Sequence, residues 1–377
     1  MKIKNLRELL NQEAKKQGSE IVKHSSNISW LYPGQFAYCL NEEFLWDRYG
    51  SFLEAPETHF HKIQPVIRWD DFVTYFQDFS KKDSIEDCFH LGNFDMSTIT
   101  GGHIVSSEEA KIYEKQAFKG LFDFLIKTCG LKKENFEVTY FIGAKLSDIG
   151  KGKNGFSKYD FDFDFAPDIN ALRTLWRENG LGLNQIWEDK SRNCFLIPNW
   201  ACGEIAPWGY RNEINYRTPF GLVDIATIER LSLIPKKKDD KIVSIEPWEK
   251  SFIIAGAGLE RLSMVSEGLK RIQDVDNIKQ LSNYCSKYEN PLKICESLRV
   301  FHRIVADSNG NLSDRRGSGK NRKPKYNQLM RNLYKISKSE ISEMLEINSE
   351  SNSWYTELDT SKEKVISELE RYSRRVK

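Results

Sequence analysis

The sequence predicts an α+β fold: an antiparallel β-sheet flanked by helices, followed by a shortened all-α domain. Three observations carry this. Helix-period and strand-period segments interleave without the strand–helix–strand rhythm of a doubly wound sheet. Most strand-like runs lie between Gly, Pro or charged turns, as hairpin-connected strands do. From about Ile272 onward strand signals fade and the chain reads as helical, interrupted at 308–325 by a basic, glycine-containing loop. The expected division is therefore 1–271 and 272–377.

Taken in order, residues 3–16 repeat apolar side chains at 3.6-residue spacing and predict a helix. Residues 107–129 do the same, and Ser106-Ser107-Glu108-Glu109 supplies cap-like chemistry at their start. Segments 64–69, 136–142, 159–165, 220–232 and 251–255 alternate or run apolar and predict strands. In 159–165, Asp160, Asp162 and Asp164 alternate with aromatics, which fits a half-solvated strand or a carboxylate metal site. There are no internal repeats.

Composition bounds the function. With 377 residues and 40% apolar content the chain can bury substantial cores. No run approaches the ~20 apolar residues of a membrane helix, and the first residues lack the apolar centre of a secretory signal, so a soluble, cytoplasmic protein is expected. Seven scattered cysteines without CxxC pairs argue for reduced thiols and against a disulfide scaffold or structural zinc. The net charge of +2 means that a nucleic-acid partner would be met by a local patch.

The decamer Ile253-Ile254-Ala255-Gly256-Ala257-Gly258-Leu259-Glu260-Arg261-Leu262 sets an apolar run against a glycine turn and an arginine. Glycines let backbone approach a ligand closely, and a guanidinium presents a planar fork of donors to phosphate. A glycine turn opening an ordinary helix with a surface Arg fits the same residues.

Several segments, in order, resemble the catalytic core of alanyl-tRNA synthetase, a class II aminoacyl-tRNA synthetase. Gln64-Pro65-Val66-Ile67-Arg68-Trp69-Asp70-Asp71 resembles the family's motif 2 strand, and His90-Leu91-Gly92-Asn93-Phe94 its return strand. Tyr113-Glu114-Lys115-Gln116-Ala117 and 130–139 resemble the helix and strand that follow. Trp200-Ala201-Cys202-Gly203 and 206–214 run parallel to "WxMGxTGPCGPCSEI", and the decamer resembles motif 3. Leu298-Arg299 through Ala306-Asp307 to Ser313-Asp314 resembles the opening of the acceptor-stem recognition domain. The resemblance covers roughly residues 62–333.

It implies a class II synthetase-like sheet and an enzyme that makes an acyl-adenylate from ATP and an amino acid, with Mg2+, then acylates tRNA. Such chemistry is mostly positioning and charge stabilisation. By resemblance, Arg68 bridges the substrate carboxylate and α-phosphate, while Arg261 holds the far end of ATP beside Gly256 and Gly258. Glu229 is implied to hold Mg2+ or ribose. His90 stands near the adenine, as a stacking partner or a packed core residue. Trp200, with Gly203 after it, is implied to floor the amino-acid pocket, and a core Trp fits equally.

The chain departs from the family pattern at the pocket. Ile254 stands where the family's aspartate pairs with the substrate ammonium, and an unpaired buried ammonium costs several kcal/mol. Asp224, at the family's Asn position, fits either as a replacement anion or as the partner of a nearby cation. Trp208, Tyr210 and Arg211 add bulk and charge, and Arg211 fits a second carboxylate or solvent. Alanine is therefore not the expected substrate. The chain also has no room for the family's editing and C-terminal modules after the resembling segments, which points to a stand-alone paralogue with a specialised product. The basic loop with Arg315, Arg316, Lys320 and Arg322 stands where the family meets the acceptor stem, so phosphate contact with tRNA or a tRNA-like acceptor is expected, against a merely solvated loop. Two rivals remain: an adenylate-forming amide ligase acting on a carrier protein or small amine, and a catalytically silent RNA-binding paralogue.

Overall fold

The computed structural model describes residues 1–28, 42–67, 95–145, 164–165, 167–190, 194–197, 206–239, 241–308 and 322–376. Helix α1 (Ile3–Lys16) occupies the predicted span because Ile3, Leu6, Leu10 and Ala14 fall on one stripe and are all fully buried. It is followed by β1 (Glu20–Val22), α2 (Glu42–Tyr49), β2 (Thr58–Pro65), β3 (Asp95–Ser106) and α3 (Ala110–Asp123). A π-turn at Phe124–Thr128 prolongs α3, so the helical stretch falls within the predicted 107–129. At its start the Ser106 hydroxyl accepts from the Glu109 N–H and donates to its carboxylate.

The chain continues with β4 (Phe136–Phe141), β5 (Ala144–Lys145), β6 (Asp164–Phe165), α4 (Ile169–Glu178), β7 (Ile186–Asp189) and β8 (Phe195–Leu196). Three long strands follow: β9 (Trp208–Thr218), β10 (Gly221–Lys238) and β11 (Lys241–Gly258). Beyond them the described elements are helical: α5 (Leu259–Ser266), α6 (Asp276–Cys285), α7 (Pro291–Asp307), α8 (Arg322–Leu333), α9 (Lys338–Ser351) and α10 (Thr356–Val376). Among the described residues none of these helices is long and apolar enough to cross a membrane.

The main sheet runs β1-β2-β3-β11-β10-β9-β4-β7, with β8 on β9. Its centre is antiparallel as predicted, yet the sheet is mixed, because β1/β2 and β4/β7 pair in parallel. Parallel neighbours need a crossover connection. Here the crossovers carry α2 and α4, segments that the strand patterns left unread. One face of the sheet is packed by helices: Val105, Ile228, Ile253 and Ala255 share a buried cluster with Phe118 and Leu121 of α3 and Leu262 of α5. The same cluster contains Ile278, Leu298, Ile304 and Leu345, so the apolar core crosses residue 271 without a break.

Charged groups are buried at that crossing. Arg299, 2% exposed, donates to both carboxylate oxygens of Glu296 at 3.0 Å and to Glu260. The Asn277 amide also donates to Glu260, at 3.0 Å, which ties α5, α6 and α7 together. A second network joins Arg303 to Asp307 and Glu357, and Asp307 accepts from the backbone and side-chain amides of Asn27 at 2.9 Å.

His302 lies fully buried, its Nε2 2.7 Å from the Leu358 carbonyl and its Nδ1 3.0 Å from the Asn348 amide. Burial pushes its pKa down from 6.5 to about 4; the hydrogen bond to Leu358 opposes this and nearby Arg303 adds to it. The unfolded chain takes up a proton there below about 6.5, and the folded chain resists until about 4. Stability is therefore expected to fall as pH drops through that window, by about 3 kcal/mol, and to level off below it as far as this group is concerned. Glu357 acts lower: burial raises its pKa, but His24 and Arg303 outweigh it and hold the group at about 2. Its contribution is present above the ordinary carboxylate range and is lost below it. Denaturation midpoints measured from neutral pH down to about 4 check the first claim, and His302→Gln is expected to flatten that slope.

Candidate active site

The register of the three central strands fixes what lies on the face opposite α3 and α5, where α2 packs over Ile254 through Leu45. Glu229 on β10 stands between Arg211 on β9 and Ile254 on β11, and Thr227 stands between Glu213 and Gly256. Side chains alternate along a strand, so these six residues share one face, while Asn212, Ile214, Ile228, Ile253 and Ala255 are buried beneath the other. Arg211, Glu213, Thr227 and Glu229 are half-buried. Gly256, opposite Thr227, puts no side chain on the face and is itself buried.

Arg211 is ion-paired with Glu213 at 2.6 Å rather than turned to solvent. Burial works against its charge, but Glu213, Glu229 and Asp224 outweigh this and raise its pKa further, so it is a cation at any working pH. The Glu213 carboxylate on this face went unrecognised in the sequence. Its signal was present: Tyr210, Asn212, Ile214 and Tyr216 alternate as buried residues, which puts Arg211 and Glu213 together on the other side.

Arg261 is the third residue of α5. Its guanidinium is 5% exposed and donates from Nη1 to Asp224 Oδ2 at 2.8 Å and to the Asp224 carbonyl at 3.1 Å. Arg261 is thus not a surface residue, and Asp224, whose side chain is 42% exposed, serves as its partner. Asp224 takes this position beside an irregularity in the β9/β10 register between Asp224 and Ala226.

The expected glycine turn is not a turn. Gly256 and Gly258 stay in the ladder, opposite Thr98 and Met96 of β3, and neither has a positive φ. Pairing to β10 as far as Ala257 and to β3 as far as Gly258 holds the backbone extended, and α5 opens at the next residue. The same rows align the two ends of interest. Gln64 of β2 pairs with Met96, and Met96 pairs with Gly258. The end of β2, which leads through Ile67 toward Arg68, and the end of β11, which leads to Arg261, therefore lie at one end of the sheet, two strand spacings or about 10 Å apart.

Arg68, His90, Trp200, Gly203, Arg315, Arg316 and Lys320 lie outside the described residues, as do Asp160 and Asp162. Arg322 opens α8, and its side chain is likewise outside them.

Comparison with known proteins adds a distant relation. No family model matches the chain. The alanine–tRNA ligase of Schizosaccharomyces pombe is 25% identical over 217 residues, which are 52% of this chain and 20% of that protein. The chain thus spans about a fifth of the length of this curated relative. Among solved structures, the RNA-binding domain of threonyl-tRNA synthetase from Cryptosporidium parvum Iowa II overlaps with a TM-score of 0.34 at 10% identity, covering 72% of this chain and 64% of that one. The sequence relation to an aminoacyl-tRNA ligase is weak and covers half the chain.

Proposed function

We propose that this chain activates an amino acid or related carboxylic acid as an acyl-adenylate, using ATP, and passes the acyl group to tRNA or a tRNA-like acceptor. The observation that supports this best is the row Gln64–Met96–Gly258, which brings the strand leading to Arg68 and the helix carrying Arg261 to one end of the sheet. Two guanidinium groups converging from distant parts of the chain would suit the two ends of a triphosphate. Arg68 takes the bridge between acid and α-phosphate, and Arg261, fixed by Asp224, takes the distal phosphates. Glu229 offers hard oxygen donors on the same face and is the residue that would hold Mg2+, which neutralises phosphate charge when bound.

The acid is not expected to be alanine. Ile254 brings no charge to the face, Asp224 is engaged with Arg261, and among the described residues Glu213 and Glu229 are the carboxylates placed on that face by the register. A substrate amine would meet those two, with Arg211 already paired to Glu213.

ATP–pyrophosphate exchange with a panel of amino acids tests activation, and acylation of total tRNA tests the acceptor. Exchange without charging identifies the amide ligase, and tight RNA binding without exchange identifies the silent paralogue. Replacing Arg315, Arg316 and Lys320 together by Ala is expected to leave exchange unchanged and to weaken tRNA acylation by roughly tenfold or more at physiological salt. Equal loss of both steps contradicts that division of labour.

A further inference from the structure

A second cluster lies on the helix-covered face, away from Arg211 and Glu229. His59 of β2 and His103 of β3 stand directly opposite each other across the ladder. Their Nδ1 atoms are 2.7 Å apart. Tyr113 of α3 stacks on the His59 ring at a centroid distance of 5.0 Å and places its hydroxyl 3.4 Å from His59 Nε2. His103 is 8% exposed and His59 and Tyr113 are half-buried, and the strands and α3 fix the pair near the surface.

Two neutral imidazoles meeting through Nδ1 hold one proton between those atoms. That convergence also suits a divalent transition ion, which prefers imidazole nitrogen. Bonds of about 2.0–2.1 Å at tetrahedral angles require the two nitrogens to stand about 3.3 Å apart, a small opening from the present contact. With both Nδ1 atoms bound to metal, each neutral ring carries its proton on Nε2. The His59 Nε2–H then has the Tyr113 oxygen as acceptor, the kind of outer contact that orients metal-binding histidines.

We infer that His59 and His103 form a binding site for a divalent transition metal of the Zn2+, Ni2+ or Cu2+ type, with water completing the coordination and Tyr113 orienting His59. Among the described residues no group of three or more His, Cys, Asp or Glu converges. Two protein donors make this an exchangeable site, unlike a structural zinc centre.

Titration calorimetry of the untagged full chain with NiCl2 tests the site. Among the described residues the other histidines are His61 and His302, both fully buried, and His24, paired with Glu357, which limits background binding by them. The expected result is one Ni2+ per chain, with affinity lowered about a hundredfold in His103→Gln and about tenfold in Tyr113→Phe. Absent binding in the parent, or unchanged binding in His103→Gln, overturns the inference. A reading that needs no variant comes from the Cu2+-loaded parent: its electron paramagnetic resonance spectrum should show coupling to two nitrogen donors, and a spectrum without nitrogen coupling also overturns it.

Discussion

Arg261→Ala is expected to lower acid-dependent ATP–pyrophosphate exchange by about a hundred- to a thousandfold, the scale for removing one preorganised charge donor. The size follows from how the guanidinium is held. It is almost fully buried, it sits where β11 passes directly into α5, and two bonds to Asp224 restrict its rotation. A cation fixed in this way does not reorganise as charge develops on phosphate. Arg261→Lys keeps the charge and loses the planar fork, so an intermediate loss is expected. Asp224→Asn keeps the carbonyl contact and much of the shape, and should cost about tenfold by loosening Arg261. Thermal midpoints measured on the same variants separate this from unfolding, because Asp224 is half-exposed and tolerates a missing partner better than a buried carboxylate does.

The largest stability effect is expected at Arg299. Arg299→Met removes the cation from Glu260 and Glu296, both fully buried, and breaking such a network from one side costs about 3–5 kcal/mol. Burial already raises the Glu296 pKa in the intact protein, with Arg299 working against it. Without Arg299 the Glu296 carboxylate resists ionisation further in the folded state, so its penalty is full at neutral pH and shrinks as pH falls toward the ordinary carboxylate range. Urea denaturation should therefore show a gap between variant and parent that narrows on acidification. Adding Glu296→Gln to Arg299→Met should recover part of the loss at neutral pH, and a gap independent of pH contradicts this reading.

The elements legible in the sequence are those whose own periodicity decides them. Helix α1 matches its predicted span because four apolar residues fall on one stripe, and β4 matches because Phe136, Val138 and Tyr140 alternate into the core. Strands stabilised by their neighbours were harder to read. β3 carries Gly101-Gly102, a poor strand signal, yet Gly102 is required there: a Cβ would come within 2.9 Å of Phe60 and 3.2 Å of Phe252. β2 begins at Thr58, earlier than its predicted start, because ladder pairing with β1 and β3 overrides its interspersed histidines. β10 and β11 run well past their apolar parts as a polar hairpin, turned at Asp239 with φ of 50°.

The proposed site is legible where side-chain chemistry carries the signal and obscure where strand register does. Of the proposed site residues, Arg261, Asp224 and Glu229 are those that the motif resemblance implies, and Asp224 pairs with Arg261. Glu213 and the His59–His103 pair were not identified, because they become neighbours of other groups only once the strands are aligned. The glycines were read as a turn from their residue type, whereas pairing to neighbouring strands keeps them extended.

The most direct test measures ATP–pyrophosphate exchange over a broad panel of amino and other carboxylic acids, with the parent chain, Arg68→Ala and Arg261→Ala assayed side by side. At least one acid is expected to support exchange in the parent; Arg68→Ala is expected to abolish it and Arg261→Ala to lower it by about a hundred- to a thousandfold. A folded parent that supports exchange with no acid, or exchange undiminished in both variants, would contradict an adenylation site built from these two arginines.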